Sequence, residues 1–228
     1  MKIKVITSYK PGTWETYAKR GITSMVKRLP EDVDIFVYCE EPEPNFIDKR
    51  IMYIDLNTSE PALFEFKNKY KNDPVANGEL IEIPNGVRRS PKLEGLDKNK
   101  ISFLWDAVRF SNKVFCVVNA VRNAKEYDYV VWIDGDTFSF RPIPMDFFEK
   151  LLPQNTMLTY LGRENPKLND GGKYPECGFV GYNIKHPEIQ NFINDWENLY
   201  VTDNVFKLLE WHDSYVFWHL SKIYRKEK

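Results

Sequence analysis

Residues 1–40 switch hydrophobic period twice, and few folds accommodate that. Residues 2–8 alternate and carry Ile3, Val5, Ile6 and Thr7, the pattern of a buried strand, and the Pro11-Gly12 turn closes it. Trp14, Tyr17, Ala18, Ile22, Met25 and Leu29 then recur at three- and four-residue steps, which predicts a helix with Thr13 placed to cap it and Pro30 to stop it. Residues 33–39, VDIFVYC, return to a strand, and residues 50–56 supply a short third one. Strand, helix, strand, strand is the opening of an α/β sheet with helices on its faces.

Further along, the texture of the chain changes. Between about Glu60 and Lys100, Pro61, Pro74, Pro84 and Pro91 alternate with Gly78, Gly86 and Gly95 in a Lys- and Asn-rich stretch, read as a loop-rich insertion. Helical spacing resumes at Ile101 and runs to about Asn123, and residues 129–133, YVVWI, form a strongly apolar strand. Short strands are expected at 156–161 and 179–182, and helices at 146–152, 187–200 and 212–224.

Composition narrows the function classes. Hydrophobic residues at 43% and aromatics at 15% exclude a disordered chain. Lys and Arg number 32 against 33 Asp and Glu, so no global field holds a nucleic acid, and any polyanion binding must be local. No apolar run approaches the roughly 20 residues of a membrane span, which predicts a chain with no transmembrane segment, soluble and cytoplasmic. Cys39, Cys116 and Cys177 are widely spaced and form no CxxC, so neither a disulfide framework nor a zinc knuckle is indicated.

The most specific feature is Asp134-Gly135-Asp136 at the end of the YVVWI strand. Open α/β sheets bind ligands outside the carboxyl ends of their strands. Two carboxylates there suit a hard cation, Mn²⁺ or Mg²⁺, that completes its shell with water and substrate phosphates. An Asp-Gly turn without chemistry uses the same dipeptide. Upstream, Asp106, Arg109 and Lys113 fall within an arc of about 60° on a helix, away from Leu104, Val108 and Phe115. They make either one converging polar face or an ordinary solvated one.

DGD after YVVWI, in a chain that opens strand–helix–strand, resembles the DxD motif of metal-dependent nucleotide-sugar glycosyltransferases of the GT-A fold. The helix carrying Asp106, Arg109 and Lys113 is similar to the donor-contacting helix of several such families. Glu176-Cys-Gly178-Phe-Val-Gly resembles their glycine-containing strand entrance, and Glu210-Trp-His-Asp213-Ser resembles their late acidic motif. The resemblance implies a Rossmann-like GT-A sheet, mixed but mainly parallel, flanked by helices, in a single domain over 1–228. It implies a sugar moved from a nucleotide diphosphate donor, a UDP-sugar foremost, to a glycan or other hydroxyl acceptor. Asp134 and Asp136 would hold the metal. Thr7, Tyr9, Asp106, Arg109, Lys113, Asp134 and Gly178 would bind the donor, Tyr9 by stacking on the base, and Asp213 and Glu176 would be the catalytic carboxylates.

Two other functions share these residues. A haloacid-dehalogenase-like phosphatase needs Thr or Val four residues after its first Asp, where this chain has Phe138. A non-catalytic module could bind a sugar nucleotide or glycan without turnover. Among the three histidines, His219 lies about 120° around the last helix from Asp213, so the two do not point at one metal.

Overall fold

The computed structural model describes residues 1–78, 103–164 and 173–226. The chain divides into two compact units, Met1–Glu60 with Cys116–Ile193, and Pro61–Phe115 with Asn194–Lys228. The first is built on a six-stranded sheet comprising β1 (Ile3–Ser8), β2 (Asp34–Cys39), β3 (Ile51–Asp55), β4 (Tyr129–Ile133), β5 (Leu158–Arg163) and β6 (Tyr174–Asn183). Their order is β3-β2-β1-β4-β6-β5. β3, β2, β1 and β4 run parallel, and β6 returns antiparallel beside β4 with β5 at the edge. Every residue of β4 is buried, as an unbroken apolar run demands of a strand covered on both faces.

One face is covered by α1 (Lys19–Arg28), whose Ile22 and Met25 join Ala18 and Leu29 on Ile3, Val5, Ile35, Val37, Val131 and Ile133. Full burial of one such aliphatic side chain stabilises by about 1.5–3 kcal/mol. The expected Thr13 cap does not form. A π-helical turn, Trp14–Ala18, precedes α1, and the Thr13 hydroxyl donates to the Lys10 carbonyl and accepts from no helix N–H among the described residues. At the other face, the Tyr38 hydroxyl donates to Asn119 Oδ1 at 3.0 Å, and Asn119 Nδ2 donates to Glu60 Oε1 at 2.8 Å. Asn119 belongs to α4 (Ala107–Arg122).

Two glycines bring α1 against the DGD turn. A Cβ on Gly135 would fall inside the contact radius of the Ser8 carbonyl oxygen, and one on Gly21, in mid-helix, would collide with the Gly135 carbonyl. Backbone, not a flexible side chain, is the obstacle in both cases. Gly21→Ala is therefore expected to destabilise by about 1–3 kcal/mol through overpacking, despite the better helix propensity of alanine. A denaturant midpoint equal to or above that of the parent would refute this close packing.

The second unit is mainly helical. It holds α3 (Pro61–Tyr70), the 3₁₀ turns Phe103–Trp105 and Asn204–Lys207, the first half of α4, the end of α6 (Ile189–Val201), and α7 (Asp213–Lys226). Phe66 of α3 meets Tyr200 edge-on at 5.3 Å, and Trp196 meets Phe217 at 5.6 Å. The expected loop-rich insertion thus begins with a helix: Leu63 and Phe66 are buried where prolines and glycines predicted irregular chain. Pro61 sits at the first helical position, where its missing N–H costs nothing. Residues 79–102, the larger part of that insertion, lie outside the described residues. β6 is also longer than the expected 179–182, because Tyr174 to Leu-facing Glu176 continue the pairing with β5 past a bulge at Tyr160/Leu161. α2 (Leu56–Ser59) and α5 (Met145–Leu151) complete the helices of the first unit.

Candidate active site

At the carboxyl end of β4 the sequence turns immediately. Asp134 N donates to Gly178 O of β6 at 3.0 Å, extending the ladder by one step, and Thr137 N closes a turn on Asp134 O at 2.9 Å. Trp132 and Asp134 are two residues apart and share a side of the strand. Trp132 Nε1 accordingly donates to Asp134 Oδ1 at 2.6 Å and fixes that carboxylate. Its other oxygen, Oδ2, lies 3.3 Å from where a Cβ on Gly178 would be, and Glu176 Oε1 lies 3.9 Å from the same point. Gly178 thus keeps open a small space bordered by two carboxylates. Glu176 Oε2 also pairs with Arg163 Nη2 at 2.8 Å. Asp136 is exposed, and makes no hydrogen bond or ion pair among the described residues.

Asp134, Glu176 and Gly178 therefore lie together at the strand end, and Asp136 follows two residues after Asp134. Among the described residues no group of three or more His, Cys, Asp or Glu side chains is arranged to hold a metal. Two aspartates would offer oxygen donors alone and an incomplete set, which would suit a hard cation such as Mn²⁺ or Mg²⁺ that takes its remaining ligands from water and phosphate. Thr7 and Tyr9 depart from expectation. Thr7 is fully buried, and its Oγ1, beneath Gly135, has no hydrogen-bond partner among the described residues. Tyr9 is 6% exposed, packs on Trp14 at 5.6 Å, and accepts from Cys39 Sγ at 3.6 Å. Its ring belongs to the core and offers no open face for a base, since an aromatic residue at a strand end is as readily buried by the next turn as presented to a ligand.

Among known proteins, no family model matches the sequence and no curated protein matches it. One solved structure similar to it is mouse xyloside xylosyltransferase 1 in its apo form, with a TM-score of 0.52 and 12% identity. The match covers 99% of this chain and 82% of that one. The fold is GT-A-like. At that identity the likeness is one of fold, and the chemistry must be argued from the side chains.

The remaining candidates lie in the helical unit. Asp106 precedes α4 and its Oδ1 accepts from Arg109 N at 2.9 Å, the bond of a helix cap rather than of a sugar-hydroxyl acceptor. Arg109 is exposed and lies beside the rings of Phe103 and Phe110. Lys113, expected on a donor-facing side, is instead largely buried in an ion pair with Asp213 Oδ2. Asp213, 6% exposed, also accepts from Ser214 N at 2.8 Å. Burial opposes its ionisation, but the Lys113 charge and the His212 hydrogen bond prevail and hold the carboxyl well below the usual carboxylate range. The pairing that the geometry shows for Asp213, expected as a catalytic carboxylate, is with Lys113 and His212 within the helical unit.

His212 completes this cluster. Its Nε2 lies 3.0 Å from Glu210 Oε2, and its Nδ1 lies 3.8 Å from Asp213 Oδ1. Burial works against its charge, but the two carboxylates outweigh burial and raise its pKa. Sequence reasoning missed both this His-centred arrangement and the Trp132–Asp134 bond. The second was detectable, because a Trp two residues before a strand-end Asp shares its face.

Proposed function

We propose that the chain is a metal-dependent glycosyltransferase that moves a sugar from a nucleotide diphosphate donor, a UDP-sugar foremost, to the hydroxyl of a glycan or similar acceptor. The observation that carries the reading is the Asp134 and Asp136 pair at the carboxyl end of a central strand, with Gly178 and Glu176 around it, in a GT-A-like fold. Transfer breaks the bond between the anomeric carbon and the diphosphate oxygen, which leaves with the electron pair, and forms one from that carbon to the acceptor oxygen, which loses its proton. A divalent cation, when bound, neutralises charge developing on the diphosphate.

Each side chain has a part in this reading. Asp134, oriented by Trp132, and the exposed Asp136 hold the cation. Gly178 lets the donor sugar approach the backbone of β6, and a methyl group there would crowd Asp134 Oδ2. Glu176, 41% exposed, is the carboxylate beside them that takes the acceptor proton. Neither Lys113 nor Asp213 has a part, since each is committed to the other.

The test is turnover of UDP-glucose and UDP-galactose with Mn²⁺, followed by release of UDP. Slow hydrolysis in the absence of acceptor is expected with at least one of these donors. Calorimetric binding of the donor without any UDP release would replace the enzyme by a sugar-nucleotide binding module.

A further inference from the structure

The net charge of −1 conceals an uneven distribution. In α1 the buried residues Ile22 and Met25 occupy one stripe, and the opposite stripe presents Arg20, Ser24, Lys27 and Arg28 at helical spacing, with Lys19 alongside. The segment leaving the DGD turn runs along this outer stripe. Arg20 lies 3.8 Å over the Phe138 ring, Ser139 N donates to Ser24 Oγ at 2.9 Å, and Ile143 N donates to Arg28 O at 2.8 Å. Between helix and segment is an open groove of about 420 Å³, whose lining includes Lys19, Arg20, Lys27 and Arg28 against one carboxylate, Glu15. Glu15 is itself paired with Lys19 at 3.0 Å. Lys27, Arg28 and the neighbouring Arg141 make no ion pair among the described residues.

Beside these cations stand two aromatic rings that the fold leaves in water, Phe138 at 44% and Phe140 at 74% exposure. Phe140 lies at the tip of the segment with Arg141 against it. A soluble polyanion would satisfy the cations and leave Phe140 in water. An uncharged apolar partner would cover Phe140 and leave the cations without counter-charge. A bilayer surface with anionic headgroups satisfies both, because basic side chains reach the headgroups while aromatic rings settle at the acyl boundary.

We infer that the face formed by α1 and residues 138–141 docks on an anionic phospholipid surface. The exposed rings, otherwise a solubility liability, are then explained as its apolar contact. The claim is independent of the proposed chemistry, which resides in Asp134, Asp136 and Glu176.

Sedimentation of the full chain with vesicles of phosphatidylcholine, alone or mixed with phosphatidylglycerol, tests it. Binding is expected to the mixed vesicles only, and to fade as NaCl is raised. K27E/R28E should weaken it by at least about 30-fold, from roughly fivefold per lost cation. Phe140→Ser, which changes no charge, should weaken it by about tenfold. K27Q/R28Q serves as a milder pair should charge reversal disturb the helix. Equal binding to both vesicle types would overturn the inference. So would binding that Phe140→Ser leaves intact and soluble polyphosphate abolishes, which would make the face a site for soluble polyanions.

Discussion

Replacing Asp136 with alanine is expected to lower Mn²⁺-dependent turnover of a UDP-sugar by about 10²- to 10³-fold, the loss typical when one preorganised electrostatic partner of a leaving group is removed. The fold should hardly notice. Asp136 is exposed and unpaired among the described residues, and surface changes of that kind usually stay within about 0.5 kcal/mol. Asp134→Ala should abolish turnover as well, but it also strips Trp132 Nε1 of its partner, so stability and activity fall together. The contrast is what makes Asp136 the cleaner probe. Parental activity in EDTA, or in Asp136→Ala, would remove the metal from the proposed mechanism.

The second large effect concerns stability. Asp213→Asn takes from the buried Lys113 ammonium the carboxylate it is paired with, and breaking one side of a buried ion pair typically costs about 3–5 kcal/mol. At about 2–4 °C per kcal/mol for a chain of this size, the Tm should fall by roughly 6–20 °C. Adding Lys113→Met should recover much of the loss, because two well-packed neutral side chains avoid the desolvation that one unpaired ion suffers. A second measurement follows from the direction of the shifts. The carboxyl of Asp213 is held below its ordinary value, so its stabilisation is present above about pH 4 and is lost as pH falls. His212 is held above its ordinary value, so its contribution is complete below about pH 6.5 and is lost as pH rises through the folded value. Parental stability should therefore weaken on both sides of mildly acidic pH, and Asp213→Asn should lose most of the acid limb. Urea midpoints across that range decide the matter, and a variant within about 1 kcal/mol of the parent with an unchanged acid limb would show that the pair is not the anchor of this unit.

Much of this molecule follows from local pattern. The period-2 strand of residues 3–8, the helical stripe Ala18, Ile22, Met25 and Leu29, and the unbroken apolar run of β4 each report burial directly, because side-chain direction repeats every two or 3.6 residues whatever the rest of the chain does. The place of the carboxylate pair at the end of β4 was legible for the same reason, as were the glycines that let DGD and β6 lie close to their neighbours. Pattern could not tell a polar face that awaits a ligand from one that awaits another helix. Asp106, Arg109 and Lys113 share an arc, yet Asp106 turns back to cap α4, Lys113 is covered by Asp213 from a residue 100 positions away, and only Arg109 remains exposed. Tyr9 and Thr7 likewise sit at a strand end, and it is the packing of Trp14, Cys39 and the DGD turn over them that buries both. Sequence by itself determined β1, α1, β2 and β4 and where the carboxylate pair stands on the chain. Tertiary structure alone decided which charges stay in water, since burial and ion pairing depend on contacts between residues far apart in the chain.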